Sequence, residues 1–165
     1  MKRQPDHPVA RQRPAIRESP DLRPTTFVLS IKPTYIERIL EGRKTIELRR
    51  RFPRARAPAC VLLYSTSPVQ ALVGHAVLRD VAHLSVQALW LRFSRAAGVT
   101  RTEFDRYFYG VKSGCALRLT DIQVFADPMA LKELEDRFAF SPPQSYCYGT
   151  KLAALIPHGW AEAAP

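Results

Sequence analysis

The apolar positions of this chain come in short runs whose period changes from two to about 3.6 and back. Thr26 opens an alternating run, Phe27-Val28-Leu29-Ser30-Ile31, that predicts a strand; it ends at Lys32-Pro33, where proline suits the first turn of a helix. Tyr35, Ile36, Ile39 and Leu40 then share one helical face, and Gly42 falls where a left-handed C-terminal cap is wanted. In Lys44-Thr45-Ile46-Glu47-Leu48-Arg49, period two sets Ile46 and Leu48 on one side of a strand and Thr45, Glu47 and Arg49 on the other.

Ala59 to Tyr64 is a continuous apolar run that fits a buried strand, and Ala71 to Leu78 predicts its partner across a polar loop at Ser65 to Gln70. Gly74 in mid-strand signals a bulge or a close backbone approach. Val86, Leu89, Trp90 and Phe93 recur at helical spacing between a capping Ser85 and a stop at Gly98. Thr100-Arg101-Thr102-Glu103 has the capping-box pattern ahead of Phe104, Tyr107 and Phe108. The aromatic side chains of these two helices, Tyr107 included, read as core. Ala116 to Phe125 predicts a further strand with a bulge near Thr120-Asp121. Asp127-Pro128 is placed to cap a helix carrying Leu131, Leu134 and Phe138, and Leu152 to Ile156 reads as a closing strand. About six irregularly spaced strands with short flanking helices make an α+β protein whose sheet curls into a small barrel. Adjacent hairpin-like pairs argue against a doubly wound sheet.

Residues 26–156 therefore form one domain. The preceding 1–25 hold six basic residues, three acidic ones and five prolines with almost no large apolar side chain, which predicts a disordered arm; 157–165 read as a tail. No stretch approaches the ~18 apolar residues of a membrane span, and the N-terminal segment lacks the apolar core of a signal peptide, so the expected location is cytoplasmic. Cys60, Cys115 and Cys147 are odd in number without a C-x-x-C, and His7, His75, His83 and His158 are scattered, so neither a disulfide framework nor a metal site is expected. Nothing in the sequence calls for a cofactor or specifies an oligomeric state.

Charge changes this picture through its placement. The chain has 25 Lys and Arg against 15 Asp and Glu, a net charge of +10. Residues 32–56 alone carry +6, whereas 57–165 are nearly balanced at +1. A folded body with one basic patch suits a polyanion, and is equally compatible with a solvated basic surface.

Within that patch, Gly42 to Arg49 reads G-x-K-x-x-E-x-R. Gly42 frees the backbone for the helix-to-strand reversal, and Lys44, Glu47 and Arg49 bring two cations and a carboxylate together. Such a trio can hold a phosphate or a base while keeping its own charges paired, or it can be a salt-bridged strand face with no ligand.

The motif, with Leu29 to Pro33, Leu63 to Val69, Val73-Gly74 and Pro142 to Tyr146, resembles the ASCH domain, a relative of the PUA domain, over roughly residues 27–150. The resemblance implies a small PUA-like β-barrel and a cleft beside the motif strand that binds RNA or a modified nucleoside or nucleotide. It also implies an enzymatic alternative, since one branch of the family removes the acetyl group from N(4)-acetylcytidine and another is associated with ribonuclease activity. Lys44 matches the amidohydrolase lysine. The position of that branch's threonine nucleophile holds Glu47, Thr45 lies further back along the strand, and the downstream glutamate has no match. A catalytic set here would be Lys44, Glu47 and Thr45, with the lysine and carboxylate activating water.

Further binding candidates surround the motif. Arg50 and Arg51 can hold phosphates, and Tyr64, Ser65 and Thr66 end a strand beside the implied cleft, where polar residues also suit a loop. Gln144, Ser145 and Tyr146 follow two prolines and offer an amide and a stacking ring for unpaired bases, whereas Tyr148 reads as sealing the barrel.

Overall fold

A computed structural model describes residues 25–156; the expected arm and tail lie outside the described residues, apart from Thr25. Strand β1 (Thr26–Ile31) leads through Pro33 at the first turn into helix α1 (Pro33–Leu40). Gly42, at φ +73, makes the left-handed reversal into β2 (Ile46–Arg49). Strands β3 (Ala59–Ser65) and β4 (Ala71–Ser85) form a hairpin. Helices α2 (Val86–Ala97) and α3 (Arg101–Phe108) precede β5 (Ser113–Ala130), followed by α4 (Leu131–Phe138), β6 (Tyr146–Tyr148) and a 3-10 helix (Thr150–Leu155).

The strands join in one six-stranded sheet in the order β2-β5-β4-β3-β1-β6. Among the described residues only the β1–β3 pair is parallel. The long β4 and β5 curl the sheet into a half-barrel, with register shifts that supply the bend. One of these sits at Asp121, which adopts φ +48 where the bulge is expected. Gly74 answers a close approach: a Cβ there would lie 2.3 Å from the Gln123 carbonyl oxygen.

Period two sorts the core. Phe27, Leu29, Ile31, Val61, Leu63 and Leu117 face inward with Ile36 and Ile39 of α1. Ile46 and Leu48 point the other way, onto Leu89, Phe93, Phe104 and Phe108 of α2 and α3. Val28, Leu62, Tyr64 and Leu72 meet Leu134 of α4 and Leu152 of the 3-10 helix. Caps close the helices as expected: Ser85 Oγ accepts from the Ala88 N–H at 3.2 Å, Gly98 ends α2 at φ +58, and Thr100 with Glu103 forms the capping box of α3.

Three expectations change. Strand β4 continues past Leu78 to Ser85, because Arg79 reaches Thr120 and Asp121 across the pair and satisfies its polar stretch. Asp127-Pro128 belongs to β5, in a stretch between the Gly74–Val124 and Leu72–Met129 pairings, and α4 starts after Ala130 with no side-chain cap. A proline lacking an N–H is tolerated in such a bulge. The proposed closing strand is instead the 3-10 helix, since β6 already occupies the edge of β1, pairing Tyr148 with Phe27 and Tyr146 with Leu29. Beyond it Gly149 packs against Thr26 and Val28, and Leu152 is buried.

Candidate functional site

The motif residues meet where α1, α2 and β2 converge. The left-handed turn at Gly42 returns the chain beneath α1, and the Lys44 N–H donates to the Arg38 carbonyl at 2.9 Å. Gly98, without a Cβ, lets the end of α2 lie close over the Lys44 side chain. Lys44 Nζ thereby donates to the Ala97 carbonyl at 2.7 Å and the Ile46 carbonyl at 2.9 Å, and pairs with Glu47 Oε2 at 3.1 Å. Those three acceptors match its three hydrogens. Arg38 donates to the Gly98 carbonyl at 2.5 Å, so two cations stand at the negative end of the α2 dipole.

Glu47 joins Lys44 to Arg49, whose guanidinium lies 3.1 Å from Oε1. Arg49 reaches further. Its Nη1 donates to the Ser145 carbonyl at 2.9 Å and to the Ser145 hydroxyl at 3.2 Å, and its Nη2 donates to the Ser30 carbonyl at 3.1 Å. The Ser145 carbonyl also accepts from the Ser30 N–H. Arg49 thus ties the 141–145 segment and β1 to the motif strand. Its Nε is buried and has no hydrogen-bond partner among the described residues.

Lys44, Glu47 and Arg49 are only 2%, 7% and 5% exposed. They form a closed ion network in which each charge is buried with its partners. Burial makes the geometry decisive, because desolvating these charges is offset only where each finds its partners.

Two tyrosines read as apolar-face residues border this network with their hydroxyls. Tyr35 sets its ring 5.5 Å from Lys44 Nζ and donates its hydroxyl to Glu103 at 3.3 Å. Burial, then Glu103, pushes the Tyr35 hydroxyl above its ordinary pKa. Tyr107, expected in the core, is 41% exposed, because its ring lies at the edge of α3 with its hydroxyl accepting from the Arg50 N–H at 3.3 Å; local desolvation pushes that hydroxyl above its ordinary pKa, with Arg49 pulling down and Glu47 pushing up. Helical spacing shows which side of a helix they share with core residues, but the polar tip of each ring escapes that signal.

The other candidates separate. Ser145 joins the network. Tyr146 packs against Phe52, ring centroids 4.8 Å apart, and Tyr148, 63% exposed, rests one ring face on Phe27 at 5.1 Å. Gln144 is exposed. Tyr64 faces the opposite side of β3 and packs on Phe140 at 5.6 Å, while Ser65 is buried with its hydroxyl unpartnered among the described residues. Thr66 shapes the β3–β4 turn, its N–H donating to the Ile31 carbonyl. Thr45 has an exposed side chain and a backbone tied to Ala96 and Leu119. Arg50 and Arg51 are exposed at the end of β2. A cleft of about 470 Å³ opens beside these arginines, and Lys44 is not among its lining residues. Among the described residues no group of three His, Cys, Asp or Glu is placed to hold a metal, and no helix is long and apolar enough to cross a membrane.

The chain is thus a curled half-barrel sheet with short flanking helices and a buried Lys-Glu-Arg network. The family model for the ASCH domain matches residues 29–126, and the chain belongs to that family. An ASCH domain-containing ribonuclease from Zymomonas mobilis subsp. mobilis is 35% identical over 119 residues, which span 72% of this chain and 80% of the relative. The crystal structure of ASCH from Zymomonas mobilis, 33% identical, superposes with a TM-score of 0.73 and covers 80% of this chain and 96% of that one. A tyrosine-to-phenylalanine variant of the Zymomonas protein, 32% identical, gives the same TM-score with 80% and 99% covered.

Proposed function

We propose that this protein binds RNA beside Arg49 and Ser145, with Tyr107 held on the adjacent Arg50 backbone, and cleaves its phosphodiester backbone there. The observation that carries this reading is Arg49. It is a buried guanidinium, oriented by Glu47, Ser145 and Ser30, with Nε unpartnered among the described residues. A fixed, desolvated cation of this kind stabilises charge developing on a phosphoryl oxygen without reorganising. The basic 32–56 segment supplies long-range attraction for a polyanion. The name of the Zymomonas relative supports RNA as the substrate class.

Glu47 serves here as the link between two cations, both oxygens engaged, and so orients them instead of accepting a proton. Amide hydrolysis finds less support: among the described residues the polar partners of Lys44 Nζ are two carbonyls and a carboxylate, with no nucleophilic hydroxyl among them.

The test is incubation of the full chain with end-labelled single-stranded RNA, reading binding by fluorescence anisotropy and products by gel. Contact with about four phosphates predicts a log–log salt slope of about −3. Ser145→Ala should retain the fold and lose most product formation. Salt-independent binding together with intact RNA after prolonged incubation would overturn the reading.

A further inference from the structure

Strands β2, β5 and β4 end together at one rim of the sheet. Arg49 lies opposite Cys115, and Cys115 lies opposite His83. Directly paired residues share a sheet face, so the three form one row across two strand spacings, about 9.6 Å. Contact confirms the inner half of that row, with Cys115 Sγ 3.3 Å from His83 Nδ1. Past the row opens the cleft of about 470 Å³, lined by Arg50, Arg51, His83, Ser85 and Ser113 with Cys115 beside them.

No carboxylate lines this cleft. Arg50 uses one guanidinium N–H on the Tyr109 carbonyl at 3.2 Å, and Arg51 makes no hydrogen bond or ion pair among the described residues. The same basic segment buries and pairs Lys44 and Arg49 but leaves these two guanidinium groups exposed. Cys115 is buried, and burial pushes its thiol above the ordinary range, so it is a neutral partner for Nδ1 and not a thiolate nucleophile. Its Sγ lies 3.3 Å from Nδ1 and 4.0 Å from the Phe52 carbonyl, which orients the imidazole and leaves Nε2 without a partner among the described residues.

We infer that this cleft is a second phosphate subsite, in which Arg50, Arg51 and His83 hold the backbone of single-stranded RNA beyond the phosphate at Arg49. The inference rests on the RNA reading and extends it by giving the strand a direction, from Arg49 across Cys115 to His83. Guanidinium, imidazole and hydroxyl groups without a competing acid are a donor set for phosphate oxygens. The shared row sets the two subsites two strand spacings apart, within reach of neighbouring phosphates of one strand.

The experiment measures anisotropy of cleavage-resistant 2′-O-methyl oligonucleotides of increasing length, over a salt series, with the full chain and its Arg51→Gln and His83→Gln variants. Both positions are exposed, and circular dichroism verifies the fold. The wild type should gain affinity once the oligonucleotide is long enough to reach the cleft. Arg51→Gln should bind long oligonucleotides about tenfold more weakly and lower the salt slope by about 0.7 for one lost phosphate contact. His83→Gln should lose affinity several-fold. Neither should alter binding of the shortest oligonucleotide that the wild type retains. Wild-type affinity and slope in both variants would overturn the subsite and leave RNA binding at Arg49 intact. A wild type that binds no oligonucleotide at any length would overturn both.

Discussion

Arg49 and Arg51 stand two residues apart in one basic run, yet they belong to different physical regimes. Arg49 is 5% exposed and donates to two backbone carbonyls and a hydroxyl while paired with Glu47. Arg51 is exposed, with no polar partner among the described residues. A cation in the first setting is part of the architecture: removing its counter-charge leaves a desolvated ion, at a cost set by burial. A cation in the second is solvated and screened, contributes little to folding, and remains available to a ligand. The positive charge is therefore two populations, one buried and paired within the fold and one solvated at its surface.

The comparison breaks first at Glu47. Glu47→Gln removes the charge between Lys44 and Arg49, and the expected loss of stability is about 3–5 kcal/mol, read from urea denaturation. A change no larger than that of an exposed salt bridge would show that water reaches the network. Arg49→Lys comes next. A lysine preserves the charge beside Glu47 but not the fork that reaches both Ser145 and Ser30, so about 1.5–3 kcal/mol should be lost, with RNA cleavage falling further than stability explains. Equal activity in this variant would remove Arg49 from the chemistry.

A smaller effect lies at the edge of the network, where Glu103 closes the capping box and accepts from Tyr35. The hydrogen bond from the Thr100 N–H, ahead of other causes, holds the Glu103 carboxyl below its ordinary value of 4.5. The folded state thus favours the carboxylate; its stabilisation is complete above the unfolded value and is lost as pH falls through the lower folded one. Glu103→Gln cannot titrate, so the stability difference between wild type and variant should shrink below pH 4.5. A difference constant with pH would mean that charge plays no part in the cap. Least affected should be Arg51→Gln, with stability within about 0.5 kcal/mol of wild type.

Much of the fold is legible in local pattern. Period two in β2 separates Ile46 and Leu48 from Glu47 and Arg49, and the two groups do lie on opposite faces of the sheet. Gly42, Gly74 and the Asp121 bulge are readable because each answers a backbone demand confined to a few residues. The extent of β4 and the 3-10 helix at Thr150–Leu155 are not, because cross-strand partners and an occupied sheet edge decided them. At the site, the polar tips of Tyr35 and Tyr107 and the carbonyls of Ser30 and Ala97 carry no residue-type signal for the contacts they make. Spacing also placed Tyr64 beside the cleft, whereas the pleat turns it onto Phe140.

The amino-acid sequence by itself determined the alternation of strands and short helices, the family motif, and the concentration of positive charge at 32–56. Those properties depend on neighbours within a few positions along the chain. Tertiary structure decided which charges are desolvated. It brought the end of α2 over Lys44, Ser145 and Ser30 onto Arg49, and His83 beside Cys115, 32 residues away in the chain. A guanidinium is chemically the same at positions 49 and 51; its environment, assembled from distant segments, buries one in an ion network and leaves the other exposed.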